Sequence, residues 1–297
     1  MPINAVILRR RRLGKGSARG IIANSGGTIM QARTWVPRDM RSIPATARAV
    51  IRWGCTAPVG DRYELTLNSA HSISFCNNKV ESRIRMQEAG VPVPTTFRNS
   101  DLLRGDRFED FNRTSRYVVR PARHAQGRRL YVASGNEVDA VIRRHGLQDG
   151  YTSLLIDKVA EYRVFVAQNR VVWVARKTPG NPTDVAWNVA RGGRFDNVRW
   201  TDWPIEVCKA ALAAAKVTGT DFCGVDVMVG RDNKPYVLEA NSAPSQTSPY
   251  RQQCTTDALL YMIANGKDPF PDPERIKTFR PIVHPAVRER FQQQENS

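Results

Sequence analysis

The feature that most constrains this chain is a pair of apolar runs, Phe222–Val229 and Pro235–Ala240, separated by Gly230-Arg231-Asp232-Asn233. Two such runs joined by a Gly/Asp/Asn turn predict adjacent antiparallel strands. Both carry acids. Asp226 sits inside the first run, and Glu239 lies near the end of the second with Asn241 two residues on. A carboxylate inside an apolar strand needs a partner, because an unpaired buried charge is costly. Alternate residues of a strand share a face, so Glu239 and Asn241 project together, and the short turn brings Asp226 alongside. Two carboxylates and an amide oxygen are hard donors, suited to Mg²⁺ carried by the phosphates of a nucleotide. The competing reading is structural, a strand-end acid paired with arginine.

The same reasoning extends along the chain. Asn77 or Asn78 caps a helix over Lys79–Ala89 that Gly90 stops. Val91-Pro92-Val93-Pro94 then forces an extended exit. Strands at Arg116–Arg120 and Leu130–Ala133 flank a loop containing Gly127, and Glu137–Arg144 is a short helix. Further strands are expected at Leu154–Ile156, Arg163–Ala167 and Val171–Ala175, the last two forming a hairpin around Gln168-Asn169. Residues 179–196 read as a loop, Glu206–Thr218 and Asp257–Ala264 as helices, and 268–297 as a loosely attached tail. Residues 1–75 are harder to parse. Ala5–Leu8 and Gly20–Ala23 read as strands and Ala45–Trp53 as a helix. Gly14–Gly20 reads as a flexible turn, since it misses both GxGxxG spacing and a GK[ST] ending. Hairpins and helices alternate without repeated βαβ units, which argues for an α+β fold with antiparallel sheets in the second half.

Composition narrows the function classes. No run of about 18 apolar residues exists, so no membrane span is expected. Met1–Leu13 is basic but lacks the apolar core of a secretory signal, so a cytoplasmic protein is expected. The five cysteines show no CxxC or Cys/His pattern and read as reduced thiols. The net charge of +17 attracts polyanions, leaving nucleic acid, nucleotide or an acidic substrate open. Among the cations, Lys79 opens a helix and Arg120 ends an apolar strand just before the Gly127 loop, a position from which it can hold phosphate oxygens. Arg163 lies inside an apolar strand, facing either solvent or an anion. Arg176 and Lys177 close the next strand, and Lys158 and Lys177 read equally well as solvated.

Taken in order, these segments resemble ATP-grasp ligases, especially the glutathione synthetase-like and RimK-like glutamate ligase branches. The resemblance rests on Asn77-Asn78-Lys79, Pro94-Thr95-Thr96, Val118-Val119-Arg120-Pro121 with Gly127, and Glu161-Tyr162-Arg163-Val164-Phe165-Val166. It continues in Arg176, Asn188-Val189-Ala190-Arg191-Gly192-Gly193, Gly224-Val225-Asp226 and Leu238-Glu239-Ala240-Asn241-Ser242-Ala243-Pro244. It covers roughly residues 76–262. It implies an ATP-grasp fold, two α+β lobes clasping ATP, preceded by a small α/β N-terminal domain. The implied boundaries are 1–75 for the substrate domain, 76–150 and 151–267 for the lobes, and 268–297 for the tail. Residues Ile156, Asp157, Lys158 and Val159 would face adenine. Lys79 and Arg120 would hold phosphates under a Gly127 lid. Asp226, Glu239 and Asn241 would bind one or two Mg²⁺, with Mn²⁺ as an alternative. A small-molecule or peptide carboxylate would attack the γ-phosphorus, with Arg163, Arg176, Asn188 and Gly193 stabilising the transferring group. An amine would then displace phosphate from the acyl phosphate. The chain departs from the family at Arg120, where the family has lysine. A small-molecule kinase and a basic nucleic-acid-binding protein are the alternatives.

Overall fold

Four consecutive side chains of strand β1 (Asn4–Arg9) are buried, a pattern that arises when both faces of a strand are covered. The computed structural model describes residues 4–9, 15–31, 46–106, 108–123, 129–181, 183–187, 192–272 and 282–290. In it β1 lies inside a parallel sheet with β2 (Ile29–Gln31), β3 (Ala47–Trp53) and β4 (Leu65–Leu67), in the order β2-β1-β3-β4. Helix α1 (Lys15–Asn24) crosses from β1 to β2 and buries Ala18 and Ile21. Three expectations are corrected here. Gly20–Ala23 is helical rather than a strand, the chain from Lys15 to Gly20 is helical rather than a flexible turn, and Ala45–Trp53 supplies β3 rather than a helix. A central parallel strand loses the alternation that would distinguish it from a buried helix.

The second sheet contains β5 (Thr96–Arg98), β6 (Arg116–Arg120), β7 (Tyr131–Ser134) and β8 (Tyr151–Leu154), ordered β5-β8-β6-β7 and antiparallel throughout. The strand expected at Leu154–Ile156 thus begins three residues earlier. Helices α2 (Ala70–Asn77) and α3 (Lys79–Glu88) lead into this sheet. The Asn78 side chain accepts from Glu81 N at 3.3 Å, capping α3 as its residue type demands. Helices α4 (Asn99–Arg104) and α5 (Val138–His145) pack around a core that includes Phe97, Tyr117, Val119 and Ile142.

The third sheet carries the acids. Its strands are β9 (Lys158–Ala167), β10 (Arg170–Thr178), β11 (Arg194–Asn197), β12 (Phe222–Gly230) and β13 (Pro235–Asn241), ordered β11-β10-β9-β12-β13 and antiparallel. Strand β11 begins inside the stretch expected to be a loop. Helix α6 (Ile205–Thr218) packs on this sheet. Helix α7 (Pro249–Asn265) starts eight residues before the expected Asp257, with Pro249 in its first turn, where the missing N–H costs nothing. Trp53 of β3 stacks on Phe222, Phe222 on Phe165, and Phe165 on Trp173, with centroids 5.4, 6.1 and 5.4 Å apart. Each such pair adds on the order of 1 kcal/mol beyond area burial. This column locks the N-terminal sheet to one end of the acid-bearing sheet.

The tail expected to be loose is fixed over residues 282–290; residues 273–281 and 291–297 lie outside the described residues. Val171 N donates to Ile282 O at 2.6 Å and His284 N to Val171 O at 2.8 Å, pairing this segment with the start of β10. His284 is buried against Tyr261 and Phe270. Its Nδ1 accepts from Ala286 N at 3.2 Å, so Nε2 carries the proton and donates to Gln168 Oε1 at 3.1 Å. Burial first, then the cations Arg170 and Arg288, push the imidazole down to about 3. The unfolded chain takes up a proton below about pH 6.5 that the folded chain refuses. Stability is therefore complete above that pH and declines as pH falls toward the folded value. The expected loss between about pH 6.5 and about pH 5.5 is about 1 kcal/mol. Replacing His284→Gln should remove this increment, as measured by the difference between wild-type and variant urea midpoints at the two pH values.

Candidate active site

Strand pairing decides which acids can cooperate. Asp226 lies directly opposite Glu239, and Gly224 directly opposite Asn241. On its other side Asp226 faces Arg163 of β9. Directly paired residues point to the same face, so Asp226, Glu239, Asn241 and Arg163 form one patch. A Cβ on Gly224 would approach Pro244 Cβ to 2.6 Å, so glycine is required where the loop after β13 crosses the strand.

The patch is a charge network. Arg163 Nε and Nη2 donate to the two Asp226 oxygens at 2.6 and 2.8 Å. Lys177 Nζ stands 3.7 Å from Asp226 Oδ2 and donates to Glu161, which also accepts from Lys158 at 2.5 Å. Burial alone would raise the Asp226 carboxyl, but Arg163 and Lys177 outweigh it and hold the group below the usual carboxylate range. Lys177 is held above its ordinary value, since Asp226 and Glu161 overcome the opposing effect of burial. Lys158 is lowered, chiefly by burial, and stacks over Trp187 at 4.4 Å. On the far side, Lys79 Nζ meets Glu239 Oε2 at 3.0 Å, while Asn241 Nδ2 donates to Glu239 Oε1 at 3.0 Å. The Asn241 carbonyl oxygen is the end of that amide left to act as a donor to a metal.

The second sheet supplies Arg120, at the end of β6 and opposite Tyr151. Its guanidinium is lowered, first by burial. The segment from Ile156 to Val159 connects β8 to β9, spanning the second and third sheets. Asp157 pairs with Arg231 at 2.5 Å, and Val159, 44% exposed, offers an apolar surface there.

The structure does not bring every candidate together. Arg176 pairs in register with Tyr162, one residue out of phase with Arg163, and is exposed on the opposite face. Lys177 takes the inward position instead, because its cross-strand neighbour is Glu161. Unbroken counting from Arg163 through the Gln168-Asn169 turn selects Arg176; the irregularity between Val171 and Trp173 shifts the register by one residue and turns Lys177 inward. Gly193 is buried at the entrance to β11 and contributes no side chain. Gly127 and Asn188 lie outside the described residues. Glu161 opens the Glu161–Val166 motif but carries no role in the sequence reading, and local pattern gives no sign of Phe195 or Arg251. The Phe195 ring lies 4.8 Å from the Arg163 guanidinium, and Arg251 donates to Asn197 Oδ1 at 2.7 Å.

Three comparisons with known proteins bear on the family and the fold. A RimK-like ATP-grasp domain matches residues 117–265. A probable alpha-L-glutamate ligase of Vibrio atlanticus (strain LGP32) is 27% identical over 234 residues, covering 74% of this chain and 71% of that protein. Among solved structures, the ATP-grasp ligase PsnB complexed with minimal precursor, Mg and ADP superposes with a TM-score of 0.59 at 16% identity, covering 87% of this chain and 97% of PsnB. D-alanine–D-alanine ligase from Bacillus anthracis complexed with ATP gives a TM-score of 0.59 at 16% identity, covering 90% and 97% of the two chains.

The two neighbouring cations on β10 separate buried from exposed charge. Lys177→Met leaves Glu161 and Asp226 each short of a cation and should destabilise the fold by about 3 kcal/mol. Arg176→Met, on the exposed face, should change stability by less than about 0.5 kcal/mol. Chemical denaturation of the two variants checks the contrast.

Proposed function

Because the chain belongs to the RimK-like ATP-grasp family, it is an ATP-dependent carboxylate–amine ligase, and we propose that the face bearing Asp226, Glu239 and Asn241 is where it holds Mg-ATP and forms an acyl phosphate. The observation that carries this reading is the direct cross-strand pairing of Asp226 with Glu239, with Lys79 on Glu239 and Arg163 on Asp226. The donor set fits Mg²⁺. Glu239 retains 28% side-chain exposure, and Asn241 adds a neutral oxygen. Among the described residues no three His, Cys, Asp or Glu side chains are placed to hold a metal ion together. Magnesium at such sites accepts one or two carboxylates and completes its shell with phosphates and water. One ion, Mg²⁺ or Mn²⁺, satisfies the donors at hand; a second ion would draw on Asp226 in competition with Arg163. Bound there, the metal would supply charge neutralisation at the transferring phosphoryl group.

The residues of the chain do the remaining work by position and field. Lys79 and Arg120 bind phosphate oxygens, and the Ile156–Val159 backbone with the Val159 side chain borders adenine. The substrate carboxylate oxygen bonds to the γ-phosphorus as the bond to the ADP oxygen breaks. Arg163 and Lys177, locked by Asp226 and Glu161, stabilise the three phosphoryl oxygens. The amine then adds to the acyl carbon, gives up a proton, and phosphate leaves. Arg176 has no part in this scheme.

The substrate reading is an amino-acid or peptide carboxylate of acidic character. Its supports are the net charge of +17, the twelve Lys and Arg against three Asp and Glu in residues 1–75, and relatives named as glutamate ligases. We accordingly read 1–75 as the substrate domain, 76–150 and 151–267 as the two lobes, and 268–297 as a C-terminal extension. The basic field serves nucleotide and substrate, and neither the nucleic-acid reading nor the kinase reading is carried forward. No helix of the described residues is long and apolar enough to cross a membrane. A cytoplasmic place fits an enzyme that consumes ATP.

Glu239→Gln keeps the shape and an oxygen that can accept from Lys79 but removes the negative charge, so it isolates the carboxylate. Magnesium-dependent ADP formation should fall at least about 100-fold while the circular dichroism spectrum is unchanged. Undiminished ADP formation would remove Glu239 from the metal site.

A further inference from the structure

Helix α3 carries Arg83 one turn after Lys79, so the two side chains leave the same face. Arg83 is only 6% exposed, yet its Nε and Nη1 are buried without a hydrogen-bond partner. The other described buried arginines each donate to backbone carbonyls: Arg52, whose Nε also lacks a partner, to those of Cys55 and Ala57, Arg170 to those of Asn169 and Pro271, and Arg251 to Phe195 O as well as to Asn197. Arg83 has instead an aromatic platform, its guanidinium carbon standing 4.9 Å over the Tyr151 ring. Tyr151 is also the cross-strand partner of Arg120. Burial, and further the like charge of Arg83, lower the Arg120 guanidinium, whereas Tyr151 and Glu239 act in its favour.

Three cations therefore border one space: Lys79, Arg83 and Arg120. Glu239 bonds to Lys79 and acts on Arg120, and among the described residues no acid pairs with Arg83. A buried guanidinium with orphan donors is costly, and a cation–π contact offsets only part of that cost. Two like charges sharing a tyrosine repel each other until an anion lies between them. The arginine in the family's lysine position belongs to the same cluster. A guanidinium presents a planar fork to two oxygens, where an ammonium presents a point charge.

We propose that Arg83 is a phosphate-binding residue of this ligase, completing with Lys79 and Arg120 a three-cation clamp on the ATP triphosphate, with Tyr151 as the platform that sets the two guanidinium planes. The proposal rests on the ATP-using reading above and adds to it a residue from inside α3.

The test compares wild type with Arg83→Met and Arg83→Lys by calorimetry and thermal shift, with Mg²⁺ present and acceptor substrates omitted. The probes are ATP, inorganic tripolyphosphate and adenosine. Arg83→Met should weaken ATP and tripolyphosphate by about 10- to 100-fold and leave adenosine unchanged. Arg83→Lys should recover part of the loss. Without nucleotide, Arg83→Met should melt no lower than wild type, since it removes an orphan buried charge. In turnover, KM for ATP should rise more than kcat falls. Undiminished tripolyphosphate affinity in folded Arg83→Met overturns the proposal, as does an equal loss for adenosine or a raised KM for the carboxylate alone. Wild-type protein that binds neither ATP nor tripolyphosphate overturns the ligase reading and this clamp together.

Discussion

The register of β12 against β9 and β13 is the constraint on which the site depends. Strand side chains alternate between faces, so a one-residue slip would send Asp226 to the face of Val225 and Val227. The phase is set by the apolar half of the same face. Phe222, Phe165 and Trp173 share the parity of Asp226, Arg163 and Lys177, and they interlock with Trp53 from the N-terminal sheet. Hydrophobic stacking at one end thus fixes the side on which charged groups emerge at the other. The irregularity between Asp226 and Val227 falls where apolar packing gives way to the charged cluster.

The cluster is organised so that no charge needs to reorient when an anion arrives. Arg163 is held by both oxygens of Asp226, and Lys177 lies between Asp226 and Glu161. Such pairs contribute little net stability, because desolvation consumes most of the Coulomb attraction. Their value is orientational: charges fixed in a low-dielectric site need no rearrangement as the phosphoryl group moves. The acids are therefore more than prospective metal donors. Asp226 sets the Arg163 guanidinium, and Glu161 sets both Lys158 and Lys177. The structural reading of a strand acid paired with arginine describes Asp226, and the proposed metal site draws on Glu239 and Asn241.

What could be read from the chain alone follows the range of the interactions. The β12–β13 pairing, the Asn78 cap and the β9–β10 hairpin are local, and their turn or cap residues announce them. Within residues 1–75 the strand at Ala5–Leu8 is legible, but β3 is not, because a parallel sheet joins strands through distant partners and β3 buries both faces. Arg176 and Lys177 are adjacent cations whose roles differ by parity alone, and parity requires the register with β9. Arg83 was invisible because a charged residue inside a helix ordinarily faces water, and only the packing of α3 against β5, α6 and β13 buries it. Strand β11 and the residues around Phe195 lack periodicity, so no local pattern located them.

The connections between the sheets imply where the site is rigid and where it can adjust. The N-terminal sheet is tied to the acid-bearing sheet at several points. Asn68 Nδ2 donates to Phe222 O at 3.0 Å and Asn68 Oδ1 accepts from Asp221 N at 2.8 Å, while Ser17 Oγ accepts from Gln246 N at 2.9 Å. The β5–β8 sheet is joined chiefly through α3 and the Leu155–Asp157 connector, where Val237 N donates to Pro92 O at 2.7 Å and Arg231 N to Asp157 O at 2.9 Å. A change in the angle between the two antiparallel sheets would leave the Arg163–Asp226 register intact and alter the distance from Arg120 to Glu239. On the proposed reading of the site, the chemistry of the γ-phosphoryl group would rest on the rigid frame, and the grip on the rest of the nucleotide on the sheet that has fewer ties.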